Sequence, residues 1–251
     1  MRQHIFARVA NVTALLLLIA GATSCDGGQA LATANAARTR YVVFLDCSTS
    51  LGKDQRLLWT EAAQRLVFQR ILPGDAVTMF EVSEQTAERA PIQDVAVPLL
   101  DESSGMEETL GVRRTVASLR KEGLTAITKA LQNPTAKETR LLDSLDRIPR
   151  DSSRKTFVLY LTDALESSPE LDLENTKLTD RNIAALVQAA IQHHRWQQST
   201  LSGVTIQFVL DSPAPEKLRV LNDHRALERF WRLLLTNVGA DLKAFDSRVG
   251  D

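Results

Sequence analysis

Residues 41–52 read YVVFLDCSTSLG. Five residues with strand character end on Asp46, and Ser48, Thr49 and Ser50 follow almost at once. A strand that merely turns needs only Gly, Asn or Pro after it. If this chain instead stays extended, the period of two sends the side chains at 46, 48 and 50 to one side. One carboxylate and two hydroxyls then converge, and oxygen donors of this kind suit a hard divalent cation.

Working outward, strand-like runs fall at 41–45, 75–82, 92–97, 156–161 and 204–210, several of them apolar nearly throughout. Such runs belong to strands covered on both faces. Helical patterns lie between them at 55–71, 109–121, 125–132, 135–148, 179–196 and 224–237. Strands alternating with helices predict an α/β domain: a doubly wound, mostly parallel sheet flanked by helices. In such sheets ligands sit beyond the carboxyl ends of the strands, where the winding reverses. The residues just after strand ends are therefore the candidates for function.

Two more segments meet that condition. Thr162-Asp163 ends the run TFVLYL as Asp46 ends YVVFL. In EGLTAITKAL, residues 122–131, Gly123 permits a tight loop and Thr125 opens an apolar helix face; helix capping by Thr125 is the plainer reading of that segment alone.

Taken in order, Asp46-x-Ser48-x-Ser50, then Thr125, then Asp163 resemble the metal-ion-dependent adhesion site of von Willebrand factor A-type domains, over roughly residues 41–240. The sequence departs from the family pattern at Thr49 and Ala164, where Gly is frequent, and neither change removes an oxygen ligand. The resemblance implies a Rossmann-like fold and a bound Mg²⁺, with Mn²⁺ or Ca²⁺ as alternatives. Ser48 and Ser50 would ligate directly, Thr125 directly or through water, and Asp46 and Asp163 would hold coordinating waters. Neutral hydroxyls leave the ion's charge poorly compensated, so in the family a Glu or Asp of a partner protein completes the shell. The surrounding rim would be formed by LGKDQR (51–56), DESSGMEETLGVRR (101–114) and ALESSPELDLENTK (164–177). Glu166, Glu170, Asp172 and Glu174 in the last of these read as a solvated acidic loop.

The first 24 residues carry Arg2, Arg8, a short apolar run and then small residues, the layout of a secretory signal. Ala22-Thr23-Ser24-Cys25 resembles a bacterial lipobox, which implies a lipid on Cys25; Ala20-Gly21-Ala22 offers an ordinary cleavage site instead. By the same resemblance, Asp26 after a lipidated Cys25 favours the inner membrane, facing the periplasm. Residues 25–40, rich in Gly, Ala and Thr, read as a flexible tether, 41–240 as the folded domain and 241–251 as a tail.

Composition narrows the function further. The chain of 251 residues has 30 Lys plus Arg against 31 Asp plus Glu, and removing residues 1–24 takes two arginines and no acid. The remainder, with 28 basic against 31 acidic residues, has no basic field for nucleic acid. Of the two cysteines, Cys47 reads as a small buried hydrophobe, and no Cys/His spacing supports zinc or haem. His193-His194 reads as a helix C-terminal cation, Asp223 as the cap of the last helix, FWRLLL as core, and Arg113, Arg114, Arg120 and Lys121 as a solvated helix face.

No nucleophile elbow or phosphate-cradling Gly-rich loop is present, so the expectation is a binding module and not an enzyme. Two alternatives stand beside it. One is a Mg²⁺-dependent phosphate-ester hydrolase using Asp46, although such enzymes resemble Asp-x-Asp and Ser48 occupies the second place. The other is a structural subunit of an envelope or secretion assembly.

Overall fold

The alternation in the opening strand assigns its residues to two different cores. Val42 and Phe44 pack into one hydrophobic cluster, while Tyr41, Val43 and Leu45 pack into another on the opposite face. A strand buried on both faces belongs in the middle of a sheet, and that is where the computed structural model places it. The structure describes residues 38–48, 52–101, 103–132, 134, 136–210 and 224–246.

The six strands are β1 (Thr39–Asp46), β2 (Ala76–Val82), β3 (Gln93–Ala96), β4 (Lys155–Leu161), β5 (Val204–Val209) and β6 (Asp241–Asp246). Their spatial order is β3-β2-β1-β4-β5-β6, parallel throughout except for the antiparallel edge strand β3. The helices are α1 (Lys53–Leu66), α2 (Met106–Gln132), α3 (Leu141–Asp146), α4 (Ile183–His194) and α5 (His224–Asn237), with a 3-10 turn at Phe68–Arg70. This is the doubly wound α/β class expected from the sequence.

Register aligns one aromatic row across four strands. Phe80, Phe44, Tyr160 and Phe208 stack with ring centroids 5.3, 4.9 and 4.7 Å apart, because Phe44 pairs with both Phe80 and Tyr160, and Tyr160 pairs with Phe208. Offset ring pairs of this kind add to plain burial. Helix α5 covers the same face with Ala226, Leu227, Phe230, Trp231, Leu234 and Leu235, an apolar stripe of helical period.

Three expectations are corrected here. The helices predicted at 109–121 and 125–132 are one continuous helix, α2, and Gly123 lies inside it. Gly123 is there for close packing: a Cβ on it would sit 2.2 Å from a ring carbon of the buried Phe68. The domain does not end at 240, because Asp241–Asp246 pairs with β5 as a sixth strand. It also begins earlier than 41, since Thr39 and Arg40 already pair with Lys155 and Thr156. Cys47 is buried and unpaired, as expected, and burial pushes its thiol up to about 12. The leader, most of the tether, Cys25 and Asp223 lie outside the described residues. Among the described residues, no helix is long and apolar enough to cross a membrane.

Candidate metal centre

From β1 the sheet order runs outward in one direction to β2 and β3 and in the other to β4, β5 and β6. The crevice at the carboxyl ends of β1 and β4 is thus the topological switch point. Asp46 closes β1 at that place and is 1 % exposed. Its Oδ1 accepts the backbone N–H of Ser48 at 2.9 Å and the hydroxyl of Thr139 at 3.5 Å, and its Oδ2 accepts the hydroxyl of Thr162 at 2.9 Å. The Ser48 side chain also bonds to this carboxylate. Burial raises the Asp46 pKa, and these hydrogen bonds oppose the rise.

Thr125 is not in this group. It lies within α2, exposed, and its hydroxyl donates to Lys121 O one turn back, 2.9 Å away. Two residues before it, Gly123 packs on Phe68, and Arg120 donates to Ile71 O at 3.1 Å, just ahead of β2, so this part of α2 lies toward the amino edge of the sheet. The C-terminal end of α2 points the other way: Ala136 N–H, just beyond it, donates to Cys47 O at 3.2 Å, and Ser48 bridges Ala136. The chain then turns at Thr139 and returns through α3 toward the start of β4.

Thr139 takes the place expected for Thr125. It is buried, and two bonds lock it to the loop after β4: its N–H donates to Ser167 Oγ at 2.7 Å, and its carbonyl accepts Ser167 N–H at 2.9 Å. The helix direction could have identified it. A helix leading into a parallel strand must run antiparallel to that strand, so of α2 and α3 only α3, immediately before β4, starts at the carboxyl edge.

After β4, Asp163 occupies the same rim, half-buried, with Oδ1 accepting Leu165 N–H at 3.0 Å. Ala164 adopts φ 63°, the left-handed conformation that favours glycine, and this is where the family pattern has Gly. Its cost, roughly 1–2 kcal/mol for a residue with a Cβ, is met by anchoring on both sides. Ala164 N–H donates to Thr162 Oγ1 at 3.1 Å, and Trp231 Nε1 donates to Ala164 O at 3.0 Å.

The acidic loop is only partly solvated, which corrects the reading of Glu166. This residue is 0 % exposed, and its Oε2 accepts Leu142 N–H at 2.8 Å at the start of α3. Its Oε1 has no partner, and burial lifts its carboxyl to about 7. Glu170 and Glu174 are exposed. His193 and His194 lie in the last turn of α4, where the sequence put them; the His194 ring stacks on Trp196 and its Nδ1 lies 2.9 Å from Asp146.

These residues fit a divalent cation of hydroxyl-rich coordination. The fit rests on Asp46: a carboxylate taken out of water is costly unless paired, yet the groups that donate to it are neutral and, among the described residues, no Lys, Arg or His pairs with it. A hydroxyl that donates its proton to Asp46 keeps lone pairs for a cation. Among the described residues no group of three or more His, Cys, Asp or Glu could hold a metal; a cation here would need the hydroxyls of Ser48 and Thr139 beside the two aspartates. Ser50 lies outside the described residues.

No protein-family model matches the sequence, and no curated protein matches it. Solved structures to which the chain is similar include the SpRpn10 VWA domain, at TM-score 0.38 and 9 % identity, covering 85 % of this chain and 90 % of that one. Another is proximal thread matrix protein 1 from the mussel byssus, at TM-score 0.40 and 12 % identity over 84 % of this chain and 42 % of that one. A third is the pilus adhesin SpaC from Lactobacillus rhamnosus GG in its open conformation, at TM-score 0.42 and 12 % identity over 85 % and 28 %. The chain spans less than half the length of the last two.

Proposed function

We propose that this domain is a divalent-cation-dependent protein-binding module of von Willebrand factor A type. Asp46, Ser48, Ser50, Thr139 and Asp163 would hold the ion, with Thr139 replacing Thr125 of the sequence reading. The observation that carries the proposal is the buried Asp46 carboxylate, served among the described residues by neutral donors alone, from two segments of the carboxyl edge besides its own. Mg²⁺ suits these ligands best, because it accepts neutral oxygen ligands and retains waters. The bound ion would supply a Lewis-acidic point for a carboxylate of the partner.

The residues of this chain do the remaining work. Thr162 and Ser48 orient the Asp46 carboxylate, Ser167 fixes the Thr139 loop, and Trp231 holds the turn that presents Asp163. Binding, not bond cleavage, is the proposed outcome. Residues 1–24 are proposed as a lipoprotein signal and 25–38 as the tether, which would set the module on the periplasmic face of a membrane.

The test is capture of an acidic-tipped partner from envelope extracts by the full chain, with Mg²⁺ or with chelator. Partner retention by wild type in Mg²⁺ alone, lost in Asp46→Ala and Ser48→Ala, is expected. Equal retention by both variants and by wild type in chelator would overturn the metal-mediated interface.

A further inference from the structure

The opposite edge of the sheet carries a second, differently charged feature. A groove of about 230 Å³ opens beside the amino ends of β1, β4 and β5, and Arg70, Lys155 and Lys243 line it. Among the described residues, no carboxylate lines the groove and none of the three cations forms an ion pair. Unpaired cations converging on one concavity attract an anion.

The strand register explains how they meet. Thr39 pairs with Lys155, Tyr41 with Phe157, and Phe157 with Thr205, so these residues share one face of adjacent strands. Lys243, on the strand the sequence reading left as a tail, brings its ammonium to 6.0 Å from the Phe157 ring centroid. The floor is apolar: Leu66, Tyr41 and the edge-packed Phe157. Hydroxyls of Thr39 and Thr205 add polar contacts at the rim.

Cations above an apolar floor match a phosphate ester better than a free inorganic ion, since the ester carries carbon next to its charge. We propose that this groove binds the phosphate of an anionic phospholipid headgroup. Thr39 begins β1 at this edge, seven residues before Asp46. At about 3.3 Å per residue the groove and the proposed cation centre are about 23 Å apart. A membrane-anchored chain would enter the domain at Thr39, on the edge of the sheet that carries the groove and not the cation centre. The choice of a lipid as source of the phosphate rests on the anchor reading; the anion site itself does not.

The experiment uses the full chain and short-chain phosphatidylglycerol below its micellar concentration, with short-chain phosphatidylcholine and inorganic phosphate as parallel probes. Amide chemical shifts of Lys155, Thr156, Thr205 and Lys243 report binding. Saturable shifts with phosphatidylglycerol, weaker ones with phosphate and none with phosphatidylcholine are expected. At ~1 kcal/mol for each cation, and 1.4 kcal/mol per tenfold, Lys155→Gln with Lys243→Gln should weaken binding about 30-fold. Both lysines are exposed, so this variant should unfold at the wild-type temperature. Asp46→Ala should bind phosphatidylglycerol unchanged, which separates this site from the cation centre. Undiminished binding by the double variant, equal binding of both lipids, or phosphate binding as tightly as phosphatidylglycerol would overturn the proposal.

Discussion

Replacing Glu166 with glutamine should remove a pH dependence from the stability of the fold. The carboxyl is fully buried, with one oxygen held by Leu142 N–H and the other without a partner. Burial is the main cause lifting it from 4.5 to about 7, and the nearby Asp143 adds to the rise. Hydrogen bonds from Ser168, Leu142 and Leu141 oppose it. Between those two values the folded state binds the proton and the unfolded chain does not, so stability falls as pH rises through the window. The contribution is complete below the unfolded value and gone above the folded one. At 1.36 kcal/mol per unit, the gap amounts to at most about 3 kcal/mol.

Glutamine keeps the shape and the acceptor for Leu142 while carrying no charge at any pH. Urea unfolding of wild type and Glu166→Gln across this window gives the difference directly, since other titrating groups cancel between them. The two should be nearly equal at the acid end. The variant should be more stable, by up to about 3 kcal/mol, at the alkaline end. A difference that stays constant with pH would refute the assignment of a buried, proton-holding Glu166.

Other expectations follow from single contacts. Gly123→Ala should destabilise the domain by about 1–3 kcal/mol in chemical denaturation, because its methyl would meet the buried Phe68 ring, whereas Gly111→Ala, with open space around it, should not. Trp231→Phe should cost about 1 kcal/mol through the lost bond to Ala164 O, and should weaken cation binding by loosening the turn that carries Asp163. Asp46→Asn should leave metal-free stability undiminished, because it removes a buried charge, while abolishing stabilisation by Mg²⁺; thermal unfolding with and without Mg²⁺ measures both.

The central strand was legible because its alternation already separates two cores, and the aspartate closing it could be read from the change in chemistry after Leu45. Strand β6 escaped because three of the six residues in DLKAFD are charged and only Leu242 and Phe245 reach the core. A bulge between Ile206 and Gln207 breaks its register as well. Thr125 was misplaced for a directional reason. The antiparallel β3 inserts an extra reversal, so α2 climbs toward the carboxyl edge and α3 descends from it. Glu166 looked solvated because its neighbours are acidic. Its burial depends on Leu142, 24 residues away in sequence, which local composition does not register.

The central claim is that Asp46, Ser48 and Thr139 hold a divalent cation at the carboxyl edge, and thermal unfolding with Mg²⁺ or chelator tests it without knowledge of a partner. At a hundredfold excess over Kd, a ligand specific to the folded state contributes about 2.7 kcal/mol, or a rise of about 5–10 °C for a domain of this size. Wild type and Thr125→Val should both show that rise, and Thr139→Val should lose it. No rise in wild type, or a rise lost in Thr125→Val and kept in Thr139→Val, would contradict the account.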